Sequence, residues 1–154
     1  MRNAQIAAAM TELATLYELD GAVRYRVLAY REAARVIEGS PVSVADLALA
    51  GKATELPGIG DTLQGKIVDL VKTGEIPAAA KLKAKFPATL VEVTRLPGLG
   101  AKTARRLDDD LGVASLADLR EAAEAGKVRD VKGLGEKFEQ GVIEAIDKLG
   151  EGGR

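Results

Sequence analysis

Residues 56–60 read Leu-Pro-Gly-Ile-Gly, residues 96–100 read Leu-Pro-Gly-Leu-Gly, and residues 132–135 read Lys-Gly-Leu-Gly. Three near-copies of one glycine turn within 154 residues decide the fold. Each copy has an apolar residue two positions before its first glycine (Leu56, Leu96, Val131) and another between the glycines (Ile59, Leu99, Leu134). Each is then followed by a helical apolar stripe: Leu63, Ile67 and Leu70; Ala104 and Leu107; Phe138, Val142 and Ile146.

Glycine permits positive φ and lets a phosphate come close to the backbone. The amides just after the second glycine open a helix, so they lack intrahelical partners and sit at its positive end. A phosphate oxygen can accept from them without any basic side chain. The competing reading, plain tight turns between packed helices, suits one such motif; three with the same apolar offsets favour phosphate binding. The dinucleotide fingerprint does not apply, because a third glycine and a preceding strand are both missing. The phosphate-binding backbone is therefore predicted at Gly58, Gly60, Gly98, Gly100, Gly133 and Gly135. Lys102, Arg105, Arg106, Lys132 and Lys137 supply charge beside it. Contacts to phosphate carry no base information, so binding is expected to be sequence-independent. Two hairpins related by pseudo-twofold symmetry would touch both strands of a duplex.

Helix signals run through the rest of the chain. Periodicity predicts helices over 3–19, 23–38, a short one to 49, 61–71, 78–85, 87–95, 101–111, one from Ser115 to 125, and 136–149. Ser43 with Asp46 and Ser115 with Asp118 look like N-terminal caps. Val23, Val27, Tyr30, Ala34 and Ile37 read as one buried face, and Tyr17 and Phe138 as core. No stretch alternates like a strand, so the fold class is all-α. Three segments follow: a helical domain with the first hairpin over 1–86, a tandem hairpin domain over 87–149, and a frayed tail over 150–154.

Composition narrows the chemistry. The chain has no cysteine and no histidine. That excludes disulfides, thiol catalysis, an ordinary zinc site and Ser–His or Cys–His triads, and it fits a reducing, cytoplasmic location. The first twenty residues carry acids inside their apolar stretch, unlike a signal peptide. No apolar run approaches the ~18 residues that span a membrane. The net charge is -1 and aromatics make up 3%; the pI is about 5.6. Binding by bulk positive charge is thus out, while binding through amides and a few local bases is not.

The spacing resembles helix-hairpin-helix proteins, and most closely the N-terminal part of bacterial family X DNA polymerases. VLAYREAARVI (27–37) and KATELPGIGDTLQGKIVDLVKTGEI (52–76) are similar to that family's lyase-type domain. TRLPGLGAKTARRLDDDLGVASLADLREA (94–122) and KGLGEKFEQGVIEAI (132–146) are similar to its fingers-like DNA-binding domain. The resemblance implies double-stranded or gapped DNA as partner, no membrane, a monomer, and a role in repair at gaps, nicks or 5′-phosphate ends. It further implies a K⁺ or Na⁺ ion at each hairpin. The carbonyls of Thr54, Leu56 and Ile59 would hold one, those of Thr94, Leu96 and Leu99 a second, and those of Arg129, Val131 and Leu134 a third.

The family's lyase forms a Schiff base through a lysine that matches Lys66, with Arg26, Tyr30 and Arg31 as the matching 5′-phosphate pocket. Lys66 as an ordinary surface lysine is the alternative. The family's further lysines match Arg26, Thr54, Thr62 and Ala78, of which only Arg26 is basic here. Neither the palm domain's paired aspartates nor a histidine-rich nuclease segment is present, so neither polymerisation nor DNA degradation is expected of these residues. Asp108-Asp109-Asp110 reads as a solvated helix end. A third possibility is an interaction protein that keeps the fold without affinity for DNA.

Overall fold

The structure, a computed structural model, describes residues 1–152. The chain divides into two compact units, Met1–Lys85 and Phe86–Arg154, one residue before the boundary expected from sequence. Among the described residues every regular element is helical.

The first unit is built on α1 (Asn3–Leu19) packed along α2 (Arg24–Glu38). Helical spacing puts Ile6, Met10, Leu13, Leu16 and Leu19 on one face of α1, all fully buried. From α2 come Val27, Tyr30, Ala34 and Ile37. Val23 does not join that face. It precedes the helix at φ -58, ψ 144 and is 70% exposed, because an extended residue falls off the helical stripe. Tyr17 is half-buried rather than core, stacked on Tyr30 with ring centroids 5.2 Å apart.

The short helix α3 (Val44–Leu49) is capped as expected by the Ser43 hydroxyl, which accepts from the Asp46 N–H at 3.2 Å. Asn3 ties the loop before it to α1: its amide donates to the carbonyls of Ser40 and Val42, and its Oδ1 accepts from Val44. Helix α4 (Asp61–Thr73) packs on α3 and ends at Gly74 in the left-handed conformation. Helix α5 (Pro77–Lys85) returns along α1, with proline tolerated in its first turn. Lys83 reaches Glu12 and Lys85 reaches Asp20, each at 2.7 Å. These two lysines are engaged within the unit.

The second unit comprises α6 (Ala88–Val93), α7 (Ala101–Leu111), α8 (Leu116–Glu124) and α9 (Glu136–Gly152). Helix α6 is shorter than predicted. Pro87 is its extended N-cap, and Thr94 already caps its far end. Ser115 caps α8 by accepting from Asp118. Leu90, Val93, Leu107, Leu119 and Val128 are fully buried. Phe138, read as core, is half-buried, as is Ile146 on the same stripe, while Val142 is buried. Phe138 instead lines an open groove of about 440 Å³ with Pro97, Val142 and Leu149. The last helix continues past the expected end at Leu149 to Gly152. The frayed tail placed over 150–154 is therefore helical as far as Gly152, and its last two positions lie outside the described residues.

Candidate nucleic-acid interface

The three turns are one structure built three times. In each, the middle apolar N–H donates back to the carbonyl three residues earlier: Ile59 to Leu56 at 3.2 Å, Leu99 to Leu96 at 3.1 Å, Leu134 to Val131 at 3.0 Å. The following helix opens with the same bond onto the second glycine's carbonyl: Gln64 to Gly60, Ala104 to Gly100, Glu139 to Gly135. The first glycine sits at φ 77, 78 and 86 in turn order, a conformation that costs an L-residue about 1–2 kcal/mol. Its identity is thus set by the fold.

The second glycine is different. Gly60 and Gly100 are helix N-caps at φ -93 and -86, ordinary values for any residue. A Cβ built on Gly60, Gly100 or Gly135 meets nothing within 4 Å, and all three positions are exposed. Neither backbone conformation nor internal packing requires glycine there. What a side chain would obstruct is the space outside the protein, directly over the unpaired amides of the next helix.

Pinning of the turns is uneven. Ile59 is 3% and Leu99 2% exposed, whereas Leu134 is only half-buried. Side chains brace the first and third turns at matching positions. The Gln64 carbonyl oxygen accepts from the Thr54 N–H at 3.3 Å. Glu139 accepts from the Arg129 N–H at 3.0 Å and from its guanidinium at 2.7 Å. Glu139 is 3% exposed, and its bond to the Arg129 guanidinium holds its carboxyl below the ordinary carboxylate range. In the second turn the corresponding residue is Ala104, fully buried.

The likeness of the first and third turns extends further than their glycines. Short 3-10 turns, Ala53–Glu55 and Val128–Asp130, lead into both. Sequence reading missed them. The signal was there: Ala50-Gly51-Lys52 and Ala125-Gly126-Lys127 stand at one spacing ahead of Gly58 and Gly133. In both, glycine takes positive φ (73) and the lysine N–H closes the preceding helix onto Leu47 or Ala122.

Of the cations predicted beside the turns, Lys102, Lys132 and Lys137 are exposed. Arg105 is half-buried, 5.7 Å over the Phe86 ring and 4.0 Å from Asp109. Arg106 reaches from α7 to the third turn, where it donates to the Lys132 carbonyl. The carbonyls of Leu56, Leu96 and Val131 each accept one N–H, which leaves a second lone pair. Those of Thr54, Ile59, Thr94 and Leu99 accept none of the turns' backbone bonds. Oxygen donors of this kind suit a hard monovalent cation. Among the described residues no cluster of acids is placed to hold a metal ion, Asp108–Asp110 included.

The proposed 5′-phosphate residues form two small groups on α2. Arg26 lies 5.4 Å over the Tyr17 ring, which also stacks on Tyr30. Burial, reinforced by Tyr17, pushes the Tyr30 hydroxyl up to about 12. Arg31 is held by Glu18 at 3.3 Å. Lys66 lies on α4, half-buried, and pairs with no carboxylate among the described residues. It shares no hydrogen bond or ring contact with Arg26, Tyr30 or Arg31.

Both units are helix-hairpin-helix domains. Residues 1–76 match the family described as a helix-hairpin-helix domain, and residues 90–148 the family described as a SAM-like helix-hairpin-helix tandem. Over 98% of its length the chain is 31% identical to the DNA polymerase/3′-5′ exonuclease PolX of Bacillus subtilis (strain 168). It spans 26% of that protein's length. The resemblance to the N-terminal part of bacterial family X polymerases agrees with this match. No helix among the described residues is long and apolar enough to cross a membrane.

Proposed function

We propose that this chain binds duplex DNA without sequence preference, gripping backbone phosphates at its helix-hairpin-helix turns and favouring gapped, nicked or 5′-phosphate-ended DNA in repair. The observation that carries this reading is the second glycine of each turn, which the fold does not need and which clears the approach to unpaired amides. The carbonyls of Thr54, Leu56 and Ile59, and of Thr94, Leu96 and Leu99, would hold a K⁺ or Na⁺ ion. Such an ion supplies positive charge to a phosphate at the turn. An acidic pI is compatible with this grip, because most of it is backbone.

A salt titration of binding, by fluorescence anisotropy on duplexes of unrelated sequence, tests the reading. Lys102, Lys132 and Lys137 each neutralising one phosphate give a log–log slope of about -2.7, the same for every sequence. Absence of binding at low salt would leave the interaction-protein reading.

A second reading is favoured by Lys66, which stands half-buried on the helix after the first hairpin without a carboxylate partner among the described residues. A neutral lysine amine attacks the C1′ aldehyde of a 5′-deoxyribose phosphate and loses water to form a Schiff base. Loss of a C2′ proton to solvent then expels the 3′-phosphate, breaking the C3′–O bond and leaving a 5′-phosphate on the DNA, and hydrolysis of the Schiff base returns the amine. Borohydride is expected to trap a covalent adduct on gapped DNA with this end, and Lys66→Ala to abolish it. An adduct that survives in the variant moves the nucleophile elsewhere. No adduct, with DNA still bound, leaves binding alone.

A further inference from the structure

We propose that Arg106 is a positioning residue that locks the third hairpin to the helix of the second, so that both turns address one duplex as a unit. The proposal rests on the phosphate-binding reading of the hairpins. Arg106 stands on α7, the helix that the second hairpin opens. Its guanidinium donates to the Lys132 carbonyl, inside the third turn. It also lies 3.5 Å from where a Cβ on Gly133 would stand. The peptide that begins at the Lys132 carbonyl leads into the positive-φ glycine. Holding that carbonyl fixes the direction of the amides that follow.

Two further observations point the same way. The third turn is the one whose middle residue, Leu134, is not fully buried, so its apolar pin is weaker than those of Ile59 and Leu99. A polar clamp replaces what packing does elsewhere. Among the described residues Arg106 has no carboxylate partner, whereas Arg120 and Arg129 bond acids. Its charge is spent on a neutral carbonyl and remains uncompensated beside the turn. A planar fork can grip a carbonyl while lying flat against a glycine; a lysine ammonium offers the charge without that shape.

Linked sites gain affinity only while geometry lets both engage. Uncoupling the third turn therefore costs more than one contact. The test compares wild type, Arg106→Ala and Arg106→Lys, first by NMR without DNA, then by anisotropy on a duplex of about 20 base pairs, two helical turns. The clamp predicts that Lys132, Gly133 and Leu134 amide resonances move in both variants while Gly98, Leu99 and Gly100 stay in place. Affinity falls roughly 10²-fold in Arg106→Ala, and the salt slope by about 1.8 as Lys132 and Lys137 disengage. Arg106→Lys recovers only a minor part.

Unmoved third-turn resonances overturn the clamp. So does a slope change of about 0.9 with full recovery in Arg106→Lys, which would make Arg106 a plain phosphate ligand. Should Arg106→Ala fail to fold, Arg106→Lys decides alone, by selective shift or none. Wild type that binds no DNA refutes the phosphate reading, and the DNA-free spectra still judge the clamp.

Discussion

Gly100→Val is expected to lower affinity for duplex DNA by roughly 10²–10³-fold while leaving the fold standing. Gly100 is exposed, at φ -86, with open space where its Cβ would be. The folded protein therefore accepts valine at a cost of about 1 kcal/mol or less, mostly lost capping. A phosphate seated on the amides of Ala101 and Lys102 cannot share that space with an isopropyl group. Hydrogen bonds to a charged partner contribute about 1.5–3 kcal/mol each, so excluding two removes roughly 3–6 kcal/mol, the lower half of which gives the stated range. Gly98→Val inverts the pattern, because φ 78 charges the cost to folding. Anisotropy and thermal melting on both variants check it. Unchanged affinity in a folded Gly100→Val protein would remove the argument for phosphate at this turn.

The largest effect on stability is expected at Leu107. It is fully buried on α7, and α7 packs on α6. Leu107→Ala removes its transfer energy and leaves a cavity, together costing about 3 kcal/mol or more. A unit of this size buries a smaller fraction of its chain surface than a larger domain does and is correspondingly marginal. The shift in melting temperature should be on the order of 15 °C. Urea unfolding of the two proteins gives the difference directly, and a loss under about 1 kcal/mol would mean that the neighbouring side chains collapse into the site.

Much of the architecture was legible because glycine, serine and helical spacing carry local information. The ends of α1, α3 and α7 follow from Asp20-Gly21, Ser43 and Gly112. What escaped depends on neighbours distant in sequence. Val23 continues the apolar period on paper, yet one extended residue puts it in solvent. Phe138 and Ile146 have the right spacing, but burial on α9 depends on what lies against it, and periodicity is silent on that. Arg129 read as a third-hairpin carbonyl; its exposed side chain pairs with the buried Glu139. Arg106 read as a phosphate ligand beside the second turn, and it is bonded to the third. No pattern in one chain announces pairs of this kind.

The proposed grip at the turns is made mostly of amides, and a backbone amide has no side chain to modify and does not change charge in the neutral range. A surface of lysines can be switched off by acetyl transfer, and one of histidines by a drop in pH. In the proposed grip the larger part of the charge that faces a phosphate is distributed over helix ends, fixed once the chain has folded, with Lys102, Lys132 and Lys137 the side chains that such transfer would reach. Control over the amide part of such a surface must come from covering it or from changing which DNA reaches it.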